Sequence, residues 1–218
     1  MVIACWSVKG GSGTTVVAAA LALRLARSTP GVLLADLAGD VPAVLGTPEP
    51  PGPGLLDWLA AGADVAADAL DRLAVDAAPG LRVIAAGGAG VDRDHTSAAD
   101  GERLVAALGA HRRTTVVDCG SRADGLTLAV AAASTRSLLV VRPCFLALRR
   151  AVAAPIRPSA AVLVAEPQRT LGAADVEDVL GVPVRCVPWD ASVARAVDAG
   201  RLASRLPRLL DRALRNAA

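Results

Sequence analysis

The sequence predicts a three-layer α/β fold, with a mostly parallel twisted sheet covered by helices on both faces. Three observations carry this. Short apolar runs alternate with helical patterns along most of the chain, the order in which crossover helices join parallel strands. The first apolar run passes through a glycine-rich turn into a long alanine- and leucine-rich stretch. At 218 residues the chain can bury a sizeable core without a second unit, so one domain over 1–218 is expected.

Residues 2–8 (V-I-A-C-W-S-V) read as a buried strand, 9–13 as a glycine turn and 14–28 as a helix. The run 31–37 ends in Asp36, and further strands are expected at 81–86, 114–119, 137–142, 160–165 and 183–187. Helical patterns fall at 55–62, 65–73, 99–109, 124–134, 145–154, 172–180 and 191–199. The stretches 47–54 and 87–98 read as surface loops, because the alternation resumes after each.

Composition narrows the function classes. Hydrophobic residues make up 53% of the chain, yet no uninterrupted apolar window reaches the roughly 18 residues of a membrane span. Arg24 and Arg27 close the early apolar run without a small-residue cleavage site. A cytoplasmic protein is expected, with association to the nucleoid or a cell pole left open. Cys5, Cys119, Cys144 and Cys186 are too widely spaced for a zinc pattern or a disulfide framework, and read as reduced, mostly buried hydrophobes. His95 and His111 fall in polar segments and read as surface residues. A net charge of +2 does not by itself demand a nucleic-acid partner. Lys9 is the only lysine among 23 basic residues and sits inside the glycine turn, which points to a specific role for a compact ammonium.

In an open parallel sheet, ligands bind at the carboxyl ends of the strands. After the first strand comes K-G-G-S-G-T-T-V, residues 9–16. Gly10, Gly11 and Gly13 let the backbone approach a phosphate chain, and the start of the next helix supplies N–H donors and a favourable dipole. The cradle therefore comprises Lys9, Gly10, Gly11, Ser12, Gly13, Thr14, Thr15 and Val16. The second strand ends at Asp36, and the run at 114–119 ends in V-V-D-C, with Asp118 near its tip.

The stretch 9–16 resembles the variant phosphate loop of the ParA/MinD ATPases, K-G-G-x-G-K-T/S-T, at Lys9, Gly10, Gly11, Gly13 and Thr15. The resemblance spans nearly the whole chain and is most specific over 2–45 and 114–151. It implies a P-loop nucleotide-binding protein that takes ATP or ADP with Mg²⁺. Lys9 would reach the nucleotide across an ATP-sandwiched homodimer, and Thr15, Asp36 and Asp118 would serve the metal, with Lys9 and Asp36 as catalytic positions. The arrangement is most similar to the degenerate TadZ/CpaE pilus-localising branch. The segment 180–200 is similar to the family's late strand and loop beside the adenine, but no asparagine follows the preceding strand, where L-V-A-E-P stands.

Two catalytic positions depart from the family pattern, and Gly120 stands where the family has a proline. Thr14 replaces the lysine that bridges the β and γ phosphates, and losing one charge-assisted hydrogen bond weakens ATP binding about ten- to a hundredfold. Ala38 replaces the second aspartate of D-x-D, with Asp40 two residues further on as a candidate substitute. The expected protein is an ATP-dependent dimer for intracellular positioning, with weak or absent hydrolysis. The alternative is a scaffold of the same fold that no longer binds ATP productively. A dinucleotide-binding enzyme is disfavoured: Gly11, Gly13 and Asp36 imitate its fingerprint, but Val16 takes the third glycine's place and the chain has no tyrosine.

The tail places Arg201, Arg205, Arg208, Arg212 and Arg215 beside Leu202, Leu206, Leu209, Leu210 and Leu214, a basic amphipathic pattern interrupted by Pro207. It fits packing on the sheet with solvated arginines, non-specific DNA contact, or, least well, an anionic membrane. A positioning partner protein is also expected, although no segment identifies it.

Overall fold

A computed structural model describes every residue except 30, 63, 64, 66, 67, 88–92, 112, 216 and 218. The strands are β1 Val2–Trp6, β2 Val32–Asp36, β3 Val75–Ala78, β4 Leu81–Ile84, β5 Thr115–Asp118, β6 Arg136–Val141, β7 Ala160–Ala165 and β8 Val184–Pro188. They form one sheet in the order β3-β4-β2-β5-β1-β6-β7-β8. All neighbours pair in parallel except β3 and β4.

Period-two alternation assigns each strand residue to a face. Val2, Ala4, Trp6, Leu33, Ala35, Val117, Leu139 and Val141 pack into one core with α3 (Leu55–Ala60), α4 (Ala69–Leu73), α5 (Ala98–Ala110), α6 (Gly125–Ala133), α7 (Phe145–Val152) and α8 (Ala173–Leu180). Ile3, Cys5, Val32, Leu34, Val116, Leu138 and Val140 face a second core with α1 (Thr14–Ala26), α2 (Val41–Leu45), α9 (Ala191–Asp198) and α10 (Arg208–Ala213). The expected three layers are observed. Helix α1 lies on the middle strands through Ala18, Ala19, Ala20 and Ala22, all fully buried. Side chains this small let a helix approach the sheet closely, and their burial accounts for part of the high apolar content. Among the described residues no helix is long and apolar enough to cross a membrane.

All seven expected strands are present within two residues of their predicted bounds. β3 escaped notice because V-D-A-A carries no apolar run: Val75 and Asp76 are exposed, and this edge strand is held by antiparallel pairing with β4. Helix α2 was hidden by its five-residue length and by Pro42 in its first turn. The helix expected over 65–73 is observed from Ala69, residues 66 and 67 lying outside the described residues. The loop expected over 87–98 needs correction: 88–92 are outside the described residues, but 93–95 form a 3₁₀ turn whose Arg93 side chain is only 9% exposed. Cysteine burial is also less general than expected, since Cys144 is half-buried and Cys186 exposed.

The tail follows its apolar pattern. Leu202, Leu206, Leu210 and Leu214 are buried in the second core, whereas Arg201, Arg205, Arg208, Arg212 and Arg215 are exposed. Asp211 anchors α10 to α1 through Arg24 at 2.9 Å. The tail also meets α2: Gly46 caps that helix at φ 77°, and a Cβ there would lie 2.0 Å from the Gly200 carbonyl oxygen. We expect Gly46→Ala to destabilise the protein by about 2 kcal/mol in urea unfolding, through left-handed strain and backbone collision together. Gly109→Ala is the control, because a Cβ there meets nothing within 4 Å; a Gly46→Ala variant as stable as this control would refute the packing argument.

Candidate phosphate and metal site

The site is assembled at the carboxyl ends of β1, β2 and β5. Alternation puts Asp36 and Asp118 on the α1 side of the sheet, and the two are register partners between β2 and β5. The chain leaves β1 and turns through Gly11 (φ 73°) and Gly13 (φ 84°), conformations that only glycine adopts without strain. Gly13 is the N-cap of α1 and provides no side-chain cap, and the first turn of α1 carries no acidic residue. The N–H groups opening α1 are therefore available to an anion. The Ser12 hydroxyl donates to the Lys9 carbonyl at 2.7 Å and closes the turn from within.

Above the turn lies a cavity of about 650 Å³ lined by Gly11–Val16 on one side and by Ala38, Asp40, Gly120, Ser121, Arg122 and Arg93 on the other. A second cavity of about 270 Å³ shares Ser12, Gly13, Val16, Val197 and Asp198 with it and is closed by Arg142, Val164, Pro188, Trp189 and Asp190. Residues 188–190, in the segment expected beside the base, thus line a chamber continuous with the cradle.

Asp118 is fully buried. One carboxylate oxygen accepts from the Gly120 N–H at 3.1 Å, the Thr15 hydroxyl lies near enough to favour the ionised carboxylate, and Oδ2 is buried without a hydrogen-bond partner. Burial, then the Asp36 charge, pushes the Asp118 carboxyl up to about 7, against the lowering effect of Thr15 and Gly120. An unsatisfied buried carboxylate oxygen beside a hydroxyl is what a divalent cation relieves, so Thr15 and Asp118 fit Mg²⁺. No cluster of three or more His, Cys, Asp or Glu suited to a metal occurs among the described residues. The remaining Mg²⁺ ligands would therefore come from phosphate and water, its usual company.

Asp36 is committed differently. Its Oδ1 accepts from the N–H groups of Ala38 and Gly39, both at 2.8 Å, and Oδ2 from Val41 at 3.0 Å. Burial raises its pKa while these three donors lower it. The carboxylate closes its own loop first, and any metal contact is an addition to that role. Lys9 is half-buried and is not among the residues lining the cavity of its own chain. Thr14, 5% exposed, lines the cavity and brings no charge to it. Ala38 also stands in the wall, a methyl group that cannot orient water.

Arg93 is the site residue that sequence reading missed. Its guanidinium donates to Leu37 O at 2.7 Å, to Thr127 Oγ1 at 2.5 Å and to Cys119 O at 3.4 Å, and pairs with Asp124 at 3.1 Å. All four partners lie at least 26 residues away in sequence, so spacing carried no signal of them.

No protein-family model matches the sequence, and no curated protein matches it. Solved structures do. A ParA family ATPase from Chlorobium tepidum is 20% identical with a TM-score of 0.77, over 98% of this chain and 96% of that one. The cell division ATPase MinD from Pyrococcus furiosus is 22% identical with a TM-score of 0.76, over 100% and 99%. The septum site-determining protein MinD from Pyrococcus horikoshii, complexed with Mg-ADP, is 19% identical with a TM-score of 0.74, over 98% and 94%. At these identities, what the molecules share is their architecture: the chain has the fold of the ParA and MinD ATPases.

Proposed function

We propose that this protein is a ParA/MinD-type nucleotide-responsive positioning protein that binds ATP with Mg²⁺, pairs with a second copy of itself, and turns ATP over slowly or not at all. The observation that carries the reading is the uncapped start of α1, opening onto a cavity of about 650 Å³ that Thr15 lines, with the buried Asp118 carboxylate beside Thr15. Backbone N–H groups of Gly11–Val16 hold the phosphates, Thr15 and Asp118 hold Mg²⁺, and the smaller chamber by Trp189 takes the base. Mg²⁺, when bound, neutralises phosphate charge. Lys9, which does not line its own chain's cavity, serves the nucleotide of a partner subunit in this reading.

Slow turnover follows from Thr14 and Ala38. Phosphoryl transfer depends on positioning and electrostatic support, and the cavity wall holds a neutral hydroxyl and a methyl where a charge and a water-orienting carboxylate would serve. These same residues favour the second reading, a scaffold that keeps the fold but does not bind ATP productively. Single-domain organisation over 1–218 belongs to both readings.

A partner of anionic polymer character, such as non-specific DNA, is supported by the tail. Arg195, Arg201, Arg205 and Arg208 line one surface groove together with Leu209, and Leu202, Leu206, Leu210 and Leu214 are consumed by the core. That arrangement leaves little apolar surface for a membrane.

Calorimetric titration with ATP, with and without Mg²⁺, tests the proposal. Binding at micromolar to millimolar concentration that strengthens with Mg²⁺ is expected; no heat at millimolar ATP leaves only the scaffold, and phosphate release at an ordinary ATPase rate removes the claim of slow turnover.

A further inference from the structure

We propose that Arg93 is a positioning residue that holds the two carboxylate-bearing strand ends in the geometry required for the Mg²⁺-dependent part of nucleotide binding. The inference rests on the nucleotide-binding reading above.

The carbonyls that Arg93 takes are not scattered. Leu37 directly follows Asp36, and Cys119 directly follows Asp118. One planar guanidinium thus clamps the first residue beyond each carboxylate, while its pairing with Asp124 and Thr127 fixes it to the N-cap and first turn of α6. The clamp spans the two loops that form one wall of the cavity, where a Cβ on Gly120 would already touch Ala38 at 3.0 Å. Arg93 itself lines that wall. A fork of five donors is what this junction demands; lysine carries the same charge but cannot hold two carbonyls and a carboxylate in one plane. Among the described residues the Arg93 guanidinium bonds Leu37, Cys119, Asp124 and Thr127 and none of the phosphate turn 9–16, so cradle and clamp are separable.

The test uses Arg93→Lys in the full chain, with a fluorescent ATP analogue titrated in EDTA and in Mg²⁺. Binding in EDTA is expected to stay within about twofold of wild type, whereas the gain on adding Mg²⁺ falls about tenfold or more, the effect of one charge-assisted hydrogen bond. Equal losses in both conditions, or no loss, overturn the proposal, because a merely structural role lowers both alike. If wild type binds no nucleotide, the nucleotide-binding reading fails by itself. Arg93 is then judged by amide exchange in the nucleotide-free protein, where Arg93→Lys should speed exchange at Ala38, Gly39 and Gly120 together. Unchanged exchange there overturns it. Should Arg93→Lys fail to fold, Arg93→Gln is read the same way, and loss of the fold in both variants assigns Arg93 to structure alone.

Discussion

Thr14→Lys raises the affinity for MgATP about 10- to 100-fold, the value of one charge-assisted hydrogen bond to phosphate in a cavity with few other cations. Thr14 is the first residue of α1 and lines the cavity, so a lysine there extends into open volume of about 650 Å³ rather than into the core. The gain should be visible only with ligand. Without it, a cation at a helix N-terminus opposes the macrodipole and costs about 0.3–1 kcal/mol, so the nucleotide-free variant should melt slightly earlier than wild type. Calorimetry with MgATP and thermal unfolding without it measure the two effects. Unchanged affinity would mean that phosphates do not pass Thr14, and the cradle would lose its assigned ligand.

Asp118→Asn acts with the opposite pattern, stabilising the empty protein at neutral and alkaline pH. The Asp118 carboxyl titrates at about 7 in the fold against an ordinary 3.8. Its protonated form is the one the fold accommodates, so its contribution is complete below pH 4 and is lost as pH rises towards 7, where ionisation leaves a charge buried beside Asp36. Across that window wild type should lose on the order of 4 kcal/mol relative to Asp118→Asn. Urea unfolding of both proteins at pH 4.5, 6 and 8, without nucleotide or metal, checks the sign. Parallel stability curves would refute the buried charge. In the presence of MgATP the order should reverse, because only wild type offers the metal a carboxylate.

The two results together distinguish the nucleotide-responsive protein from the scaffold. A scaffold that does not bind ATP should show neither the affinity gain of Thr14→Lys nor the reversal of Asp118→Asn with MgATP. Gly46, by contrast, tests the packing of the tail on α2 and is independent of any ligand.

The path from residues to site was uneven. The strand ends at Asp36 and Asp118 were legible because apolar runs closing on an aspartate announce themselves, and the cradle because three glycines stand between a strand and a helix. The pairing of Thr15 with Asp118 followed from alternation plus topology, once α1 was known to cover the face that both aspartates share. The local role of Asp36 was not legible: its carboxylate is taken up by three N–H groups of its own loop, and local hydrogen bonds of that kind leave no periodic trace. Arg93 was lost inside a segment read as surface loop, since polar composition and a nearby glycine cluster look the same whether the chain wanders or folds back to clamp a site.

By itself the sequence determined the layered α/β fold, the position of the phosphate turn, and the absence of a lysine at 14, because periodicity, glycine and residue identity act over a few positions. Only the tertiary structure decided which groups confront one another: that Asp118 is buried with one oxygen unsatisfied, that Lys9 stands outside its own cavity, and that Arg93 joins Leu37 to Cys119. Desolvation and long-range hydrogen bonds depend on neighbours brought from distant parts of the chain, and those neighbours exist only once the sheet has set its strand order.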